Sequence, residues 1–274
     1  MATDDVSPDL IGHYGRGGLL ATIDAALVEA GLDPRTVTVD DLGPVDEFHV
    51  GGRIATARLV EQLPLGRDPH LLDVGCGLGG TARLLASGPA AAVTGVDLTP
   101  EYVAVGRTLT ERAGLAERVD LRVGSATALP FDDGTFDGAV MLHVGMNIAD
   151  KDRLMGEVAR VLRPGTVFGV YDLMRVGDGE IRFPVPWSSV EATSCVDRPE
   201  VYRQAAEGAG LIVEAQHDRT AEATAFFDRL ASGAPGALGL HLVMGPDTSS
   251  KVANMVAAVR AGALAPTELL LRRP

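Results

Sequence analysis

A glycine-rich segment between a short apolar run and a helical one constrains this chain most. Residues 70–80 read HLLDVGCGLGG, and TARLLA follows directly. Gly75, Gly77 and Gly80 satisfy the spacing G-x-G-x-x-G, with Asp73 two residues before the first glycine. Such a turn lets the backbone approach a ligand and points a helix N-terminus at it. The spacing alone is a weak signal, because a tight strand-to-helix turn that binds nothing has the same glycines.

From about residue 70, apolar strand-like runs alternate with helical segments. The predicted strands are 70–74, 91–97, 119–124, 136–143, 166–173, 211–218 and 267–273. The predicted helices are about 18–30, 52–63, 79–87, 101–113, 151–162 and 199–209. Near-continuous apolar strands suit a parallel sheet that helices cover on both faces. The pattern therefore predicts a Rossmann-like, doubly wound α/β fold with a mostly parallel seven-stranded sheet and a helical lid.

Three segments lie outside this alternation. We expect residues 1–65 to form an N-terminal helical cap and residues 66–274 to form the core. Residues 174–198 are predicted to be loop, and residues 220–262 mostly helical, with helix and strand both open for 238–245. These lid segments are expected over the carboxyl edge of the sheet, where open α/β sheets bind ligands.

Charge and cysteine content narrow the partners and the compartment. The net charge of −13 disfavours nucleic acid and anionic membranes as partners, since their phosphate groups bind to positively charged surfaces. Cys76 and Cys195 have no metal or redox spacing, so we expect reduced thiols, no metal and a cytoplasmic protein. No apolar stretch is long enough to span a membrane, and the N-terminal residues have no signal-peptide character. The sequence leaves a homodimer open.

The context of the glycines points to a nucleoside that carries positive charge. Asp97 ends the second predicted strand about twenty residues after the turn, where a carboxylate can accept both hydroxyls of a ribose. Asp73 would repel a pyrophosphate at the turn. A ligand with ammonium and sulfonium groups and no phosphate suits such a carboxylate.

Four motifs over residues 70–173 resemble the class I S-adenosylmethionine-dependent methyltransferases. They are LLDVGCGLGG, VTGVDLTPEYV, GSATALPFDDGTFDGAVMLHV and EVARVLRPGTVFGVYD, in the family's order. Ser125 stands where the family often has an acidic contact to the adenine amino group, so the Ala126 backbone is the expected partner there. The resemblance implies a cofactor site made of Asp73, Gly75, Gly77, Asp97, Leu98, Ser125, Ala126 and His143.

The flanking segments VDEFHVGG and FPVPWSS more loosely resemble small-molecule methyltransferases of the sarcosine/dimethylglycine and natural-product type. They imply a small organic acceptor under the lid, with N-, O- and C-methylation all open. A protonated nucleophile needs a base, for which His49 and His143 are the candidates. Tyr14, His49 and His143 are the predicted catalytic residues, and Tyr14, His49, Asn147 and Trp187 the predicted substrate contacts.

Each of these side chains also has a plain structural explanation. Tyr14 can be a packing residue, His49 a helix cap, His143 a core histidine and Trp187 a loop anchor. Asp46, Arg53 and Asp172 are weaker candidates, and His217 and His241 are expected to be structural.

Two other functions share this glycine turn. A nicotinamide-dependent oxidoreductase satisfies G-x-G-x-x-G, although Asp73 argues against a pyrophosphate there. A binding protein or a cyclase can retain the cofactor fold without methylating anything, because a fold does not fix a function.

Overall fold

Seven strands form one sheet within residues 17–88, 90, 92–232 and 236–274, the part of the chain that this computed structural model describes. Tyr14 and residue 91 of the predicted second strand lie outside these residues. The strands are β1 (His70–Val74), β2 (Ala92–Asp97), β3 (Val119–Val123), β4 (Gly138–Leu142), β5 (Val167–Arg175), β6 (Ile212–Asp218) and β7 (Leu264–Arg272). Their order is β3-β2-β1-β4-β5-β7-β6.

Five strands, β1 to β5, run parallel, and β7 pairs antiparallel with both β5 and β6. Every residue of β4 is buried, whereas β6 at the edge alternates between exposed and half-buried positions. The predicted mostly parallel, seven-stranded, Rossmann-like sheet is confirmed. β5 and β7 are longer than predicted, because Met174 and Arg175 pair with Ala265 and Leu264. The loop predicted for residues 174–198 therefore begins at residue 176, two residues later than predicted.

Ten helices surround the sheet in the described residues. They are α1 (Leu19–Glu29), α2 (Val39–Asp46), α3 (Gly52–Glu61), α4 (Gly80–Ser87), α5 (Pro100–Arg112), α6 (Lys151–Val161), α7 (Pro199–Gly208), α8 (Thr220–Ser232), α9 (His241–Met244) and α10 (Thr248–Arg260). The six predicted helices are present, with ends within two residues of the prediction. Residues 238–245 hold the short helix α9 and no strand.

Helix α2 was not predicted from the sequence. Its segment is short and acidic, and it contains Pro44. A capping box begins it: Thr38 Oγ1 accepts the N–H of Asp41, and the Asp41 carboxylate accepts the N–H of Thr38. Reciprocal capping satisfies donors that a helix start otherwise leaves open. The cap therefore contains three described helices before β1.

Two apolar layers sandwich the sheet. On one face α6 and α7 pack against Leu72, Met141 and Phe168, and on the other face α3, α4 and α5 pack against Leu71 and Val140. This arrangement confirms the doubly wound architecture. Because helices cover both faces, a ligand has access mainly at the strand ends.

The segments outside the alternating core form two further apolar clusters. Helices α1 and α2 share one cluster with α5 and Val243 of α9. The loop that carries Trp187 shares the other with α8 and α10. The division into a cap at 1–65 and lid insertions at 174–198 and 220–262 stays a prediction.

Across the described part of the chain, no helix has the length and apolar character to cross a membrane. Within the same residues, no group of three or more His, Cys, Asp and Glu side chains lies close enough together to hold a metal ion.

Candidate active site

A cavity of about 520 Å³ opens at the carboxyl ends of β1, β2, β3 and β4. It includes the gap between β1 and its neighbours, where the strand order reverses and α/β folds bind ligands. Its volume lies within the usual range for small-molecule sites. Most of the predicted site residues line it: His49, Gly75, Gly77, Asp97, Leu98, Ser125, Ala126, His143 and Asn147.

The three motif glycines have different roles. Gly75 and Gly77 have φ angles of 73° and 53°, which side-chain-bearing residues rarely adopt. A Cβ atom at Gly75 would overlap Val144, so this glycine permits packing of β1 against the turn after β4. A Cβ atom at Gly77 would meet nothing within 4 Å and would occupy free space at the cavity wall. Gly77 is therefore the position at which a ligand can approach the backbone.

At Gly80 the space beside the Cα atom is filled by another residue of the protein, which leaves no room for a ligand. A Cβ atom there would overlap the side chain of Asp46, at the end of α2. Asp46 Oδ1 also accepts a hydrogen bond of 2.5 Å from Nη2 of the fully buried Arg83 of α4. The cap is thus fastened to the helix that begins at the glycine turn.

Asp97 connects β2 to the glycine turn. Its Oδ2 accepts the Gly77 N–H at 2.9 Å, and its Oδ1 accepts the Thr99 N–H at 2.8 Å. Burial raises the pKa of Asp97, and these two N–H bonds oppose the rise. Each carboxylate oxygen has a second lone pair, so both can still accept a ligand hydroxyl.

Asp73 lies beneath the turn and does not line the cavity. Its exposed fraction is 2%, and Oδ2 has no hydrogen-bond partner within the described structure. Burial, and then the negative charge of Asp97, raise the pKa of Asp73 to about 7. The backbone of Ala82 and the charge of Arg83 oppose this rise only in part, so the environment of this buried carboxylate favours a further cation nearby.

The adenine side of the predicted site consists of Leu98, Ser125 and Ala126. The Ser125 hydroxyl is 2.8 Å from Thr127 Oγ1 and also accepts the Thr127 N–H at 3.2 Å. Because this local turn engages the Ser125 side chain, the backbone at Ala126 is the freer polar group. Ala126 lines the cavity, and its contact with adenine stays a prediction.

Two imidazoles and a phenol form an aromatic cluster beside the cavity. The ring centroids of His49 and His143 are 6.0 Å apart, and that of Tyr171 is 5.3 Å from His143 and 6.4 Å from His49. Burial lowers the pKa of His49 to about 4 and that of His143 well below its ordinary value. Both histidines are therefore uncharged at neutral pH. Tyr171 was not predicted as a site residue.

A partly buried ionic network, formed by residues that follow α2 and residues of and beside β7, lies next to Tyr171. The Arg58 guanidinium lies 5.7 Å from the Tyr171 ring centroid, and its Nε is 3.3 Å from Oε2 of the fully buried Glu268. Gln62 and Arg219 donate to Oε1 of Glu268 at 2.7 and 2.9 Å. Glu268 on β7 is the register partner of Tyr171 on β5. The network therefore holds the Tyr171 ring in position from the side of β7.

Two residues that the sequence offered as candidate substrate contacts, Trp187 and Asp172, do not line the cavity. Trp187 is 3% exposed within the lid cluster, and its Nε1 donates to Ser194 Oγ at 2.9 Å. The predicted contact of Trp187 with substrate has no support in this geometry, because apolar packing occupies its ring. Asp172 is fully buried and accepts the Tyr202 hydroxyl at 2.9 Å, so it does not face an acceptor.

The other candidate residues from the sequence differ in their position relative to the cavity. Tyr14 lies outside the described residues, and neither His217 on β6 nor His241 on α9 lines the cavity. Asn147 lines it from a short 3₁₀ turn after β4. Cavity residues that the sequence did not single out include Phe48, Cys76, Thr81, Tyr102 and Val243. Cys76 and Thr81 could have been inferred from their place in the glycine motif, whereas Val243 reaches the cavity only through lid packing.

Residues 72–170 match the family model described as a methyltransferase domain. The resemblance to class I S-adenosylmethionine-dependent methyltransferases that the motifs indicate is thereby confirmed.

Two curated relatives share this region. The chain is 33% identical over 134 residues to the methyltransferase GfsG of Streptomyces halstedii, covering 49% of this chain and 48% of that protein. It is 35% identical over 120 residues to the sterol 4-C-methyltransferase strm-1 of Caenorhabditis elegans, covering 44% and 36%. The chain thus matches less than half the length of either relative.

Solved structures show the same fold over more of the chain. The (4+2)-cyclase SpnF has a TM-score of 0.67 at 24% identity and covers 94% of each chain. The geranyl diphosphate C-methyltransferase of Streptomyces coelicolor A3(2), solved with Mg²⁺, geranyl diphosphate and S-adenosyl-L-homocysteine, has a TM-score of 0.65 at 20% identity and covers 80% and 78%. At these identities the likeness concerns the fold.

Proposed function

We propose that this chain binds S-adenosylmethionine and transfers its methyl group to a small organic acceptor. One observation carries the proposal: Gly77, Asp97 and the uncharged imidazoles of His49 and His143 line a single cavity. The first two suit a nucleoside, and the last two suit an acceptor.

The residues present fit this cofactor. Asp97 would accept the ribose hydroxyls, while Leu98 and the Ala126 backbone would contact the adenine. The free space at Gly77 would admit the methionine portion, and Asp73 would favour its positive charge from below. When bound, the cofactor supplies an electrophilic methyl group on a sulfonium.

The chain's own contribution is positioning and exclusion of water. The cap, through Phe48 and His49, and the lid, through Val243, contribute apolar walls beside the glycine turn. Holding an acceptor in line with a methyl group lowers the barrier mainly through orientation and desolvation. A dedicated base adds to this only when the acceptor atom carries a proton.

The charges around the cavity favour an acceptor without phosphate. Among the described residues that line it, Arg153 carries the only positively charged side chain, beside Asp46, Asp97 and Asp150. Phosphate groups are usually bound by several Arg or Lys side chains or by backbone N–H groups. A neutral or cationic molecule therefore fits this cavity better than the diphosphate of the Streptomyces coelicolor enzyme.

A second candidate is a cyclase that uses the same fold. The likeness to SpnF extends over 94% of both chains. A cyclase would leave S-adenosylmethionine unconsumed.

Two measurements test the proposal. Calorimetry should show binding of S-adenosylhomocysteine and no binding of NAD. Incubation with S-adenosylmethionine and a panel of small hydroxyl, amine and activated-carbon compounds should release S-adenosylhomocysteine. Binding without any release across the panel would favour the cyclase, and failure to bind S-adenosylhomocysteine would contradict both functions.

A further inference from the structure

We propose that Glu47, Thr56 and His49 form a proton relay that ends at the cavity, and that the acceptor is methylated on a hydroxyl group. This inference rests on the proposed methyl transfer and adds the atom that is methylated. Glu47 acts as a positioning residue and final proton acceptor, because it reaches the cavity only through His49.

The hydrogen bonds of His49 fix which ring nitrogen carries its proton. Nε2 lies 3.1 Å from the carbonyl oxygen of Gly52, which can only accept. Nε2 therefore bears the hydrogen, and in the uncharged ring Nδ1 is an acceptor. His49 lines the cavity, and its hydrogen bonds to described residues all involve Nε2. Nδ1 is thus the nitrogen that can take a proton from a bound molecule.

Behind His49, two side chains continue the path. Thr56 Oγ1 is 2.9 Å from His49 Nε2, and Glu47 Oε2 is 3.4 Å from both of these atoms. Thr56 is fully buried, and the side chains of His49 and Glu47 are 4% and 10% exposed. Contacts of 3.4 Å are long for hydrogen bonds, and catalytic contacts commonly shorten in the complex with substrate.

The surroundings leave Glu47 as the group that can hold the proton. Burial, and then the negative charge of Asp46, raise the pKa of Glu47 to about 7, while Arg53 at 3.6 Å opposes the rise. His143 and Tyr171 also face His49, and burial keeps His143 uncharged and the Tyr171 phenol protonated. Asp46 and Asp73 are also buried carboxyl groups with raised pKa values, but Glu47 is the one that lies 3.4 Å from both Thr56 Oγ1 and His49 Nε2.

The acceptor O–H bond breaks as its proton joins His49 Nδ1, and the Nε2 proton passes to Thr56 as the Thr56 hydroxyl proton passes to Glu47. The acceptor oxygen forms a bond to the methyl carbon, whose bond to sulfur breaks with the electron pair going to sulfur. The products are a methyl ether, S-adenosylhomocysteine, protonated Glu47 and a His49 ring with its hydrogen on Nδ1. After product release the Glu47 proton passes back through Thr56 to Nε2, and Nδ1 releases its proton to water, which restores the starting tautomer.

A hydroxyl is the acceptor that requires such a path. An alcohol or phenol holds its proton at neutral pH, and its oxygen would carry a positive charge if it attacked the methyl group without losing that proton. A neutral amine already has a free electron pair, so the loss of a relay costs it less.

The proton positions can be tested without an acceptor, by ¹⁵N NMR of histidine-labelled protein bound to S-adenosylhomocysteine. His49 should carry its hydrogen on Nε2, and Thr56→Val should shift its tautomer balance whereas Thr56→Ser should not. A hydrogen on Nδ1 in the wild-type protein would overturn the relay. Failure of the wild-type protein to bind S-adenosylhomocysteine would instead contradict the proposed function.

Turnover tests the acceptor class, with 2-naphthol and aliphatic alcohols compared with 2-naphthylamine and the matched amines. Glu47→Gln should lower kcat for hydroxyl acceptors by a factor of about 10² to 10⁴ and remove the limb of the pH profile near neutrality. Thr56→Val should lower kcat similarly, with Thr56→Ser restoring it, and all three variants should bind S-adenosylhomocysteine as the wild type does. Methylation of amines alone, no ether product from any probe, or an unchanged kcat in Glu47→Gln would overturn the proposal.

Discussion

Asp97 Oδ2 accepts the backbone N–H of Gly77 at 2.9 Å, which fastens the end of β2 to the turn that follows β1. The residue expected to bind a ribose therefore also shapes the loop expected to receive the rest of the cofactor. Binding and local structure are coupled at this carboxylate, and a substitution there changes both.

Replacement of Asp97 by alanine should weaken binding of S-adenosylhomocysteine by about 1–3 kcal/mol, since hydroxyl contacts and the order of the glycine turn are both lost. Asp97→Asn is the matched control, because one side-chain oxygen still accepts the Gly77 or Thr99 N–H. Its affinity should lie between those of the wild type and the alanine variant. Calorimetry measures all three, and equal affinities would contradict the placement of the cofactor beside Asp97.

Alanine at Gly75 and at Gly77 should separate packing from ligand approach. Both have positive φ, so each alanine costs about 1–2 kcal/mol of unfolding free energy from backbone strain. Gly75→Ala adds an overlap with Val144 and should destabilise the fold further, whereas Gly77→Ala has free space around its methyl group. Urea unfolding should rank Gly77→Ala as the more stable variant.

Cofactor affinity gives the second half of this comparison. Folded Gly77→Ala protein should bind S-adenosylhomocysteine at least about tenfold more weakly, because the new methyl group occupies space at the cavity wall. Unchanged affinity in this variant would show that the ligand does not approach Gly77.

Trp187 is the single tryptophan of the chain and should report on lid folding rather than on ligand binding. Its buried ring and its bond to Ser194 predict blue-shifted fluorescence that S-adenosylhomocysteine changes little. Trp187→Phe should lower the free energy of unfolding by about 1–2 kcal/mol and leave ligand affinity within twofold. A large change in affinity would restore the predicted contact between Trp187 and the bound molecules.

Local patterns in the sequence were enough to predict the sheet, and most of the predicted site residues line the cavity. Apolar runs mark β1 to β5, and the glycine spacing needs only neighbouring residues to be recognised. The pairing of Asp46 with Arg83, and that of Tyr171 with Glu268, joins residues 37 and 97 positions apart in the chain. No periodicity encodes such contacts. The surroundings of Trp187 were not predicted for the same reason, since the other members of its apolar cluster, among them Val185, Phe227 and Met255, meet only after the chain has folded.

The raised pKa of Asp73 predicts how the stability of the protein without ligand depends on pH. The folded protein holds this proton up to about pH 7, whereas the unfolded chain releases it near pH 4. The folded state therefore binds more protons between these values, and its stability falls as pH rises from about 4 to 7. Glu47 and Asp172, with pKa values also raised to about 7, act in the same direction, as do the raised pKa values of Asp46 and Asp97. The lowered pKa values of His49 and His143 act in the opposite direction, so the effect of Asp73 is measured as a difference between variant and wild type.

Asp73→Asn should accordingly raise Tm at pH 8 relative to Tm at pH 5 when compared with the wild type, because a carboxyl group whose pKa is raised by folding no longer titrates. The same group predicts the opposite trend for binding. A cationic ligand favours the ionised carboxylate, so affinity for S-adenosylmethionine should strengthen as pH rises through about 7 and should release protons at pH 6. Calorimetry in two buffers of different ionisation enthalpy measures that release. Asp73→Asn should reduce both the proton release and the pH dependence of the affinity. If the variant keeps both, ionisation of Asp73 is not coupled to ligand binding.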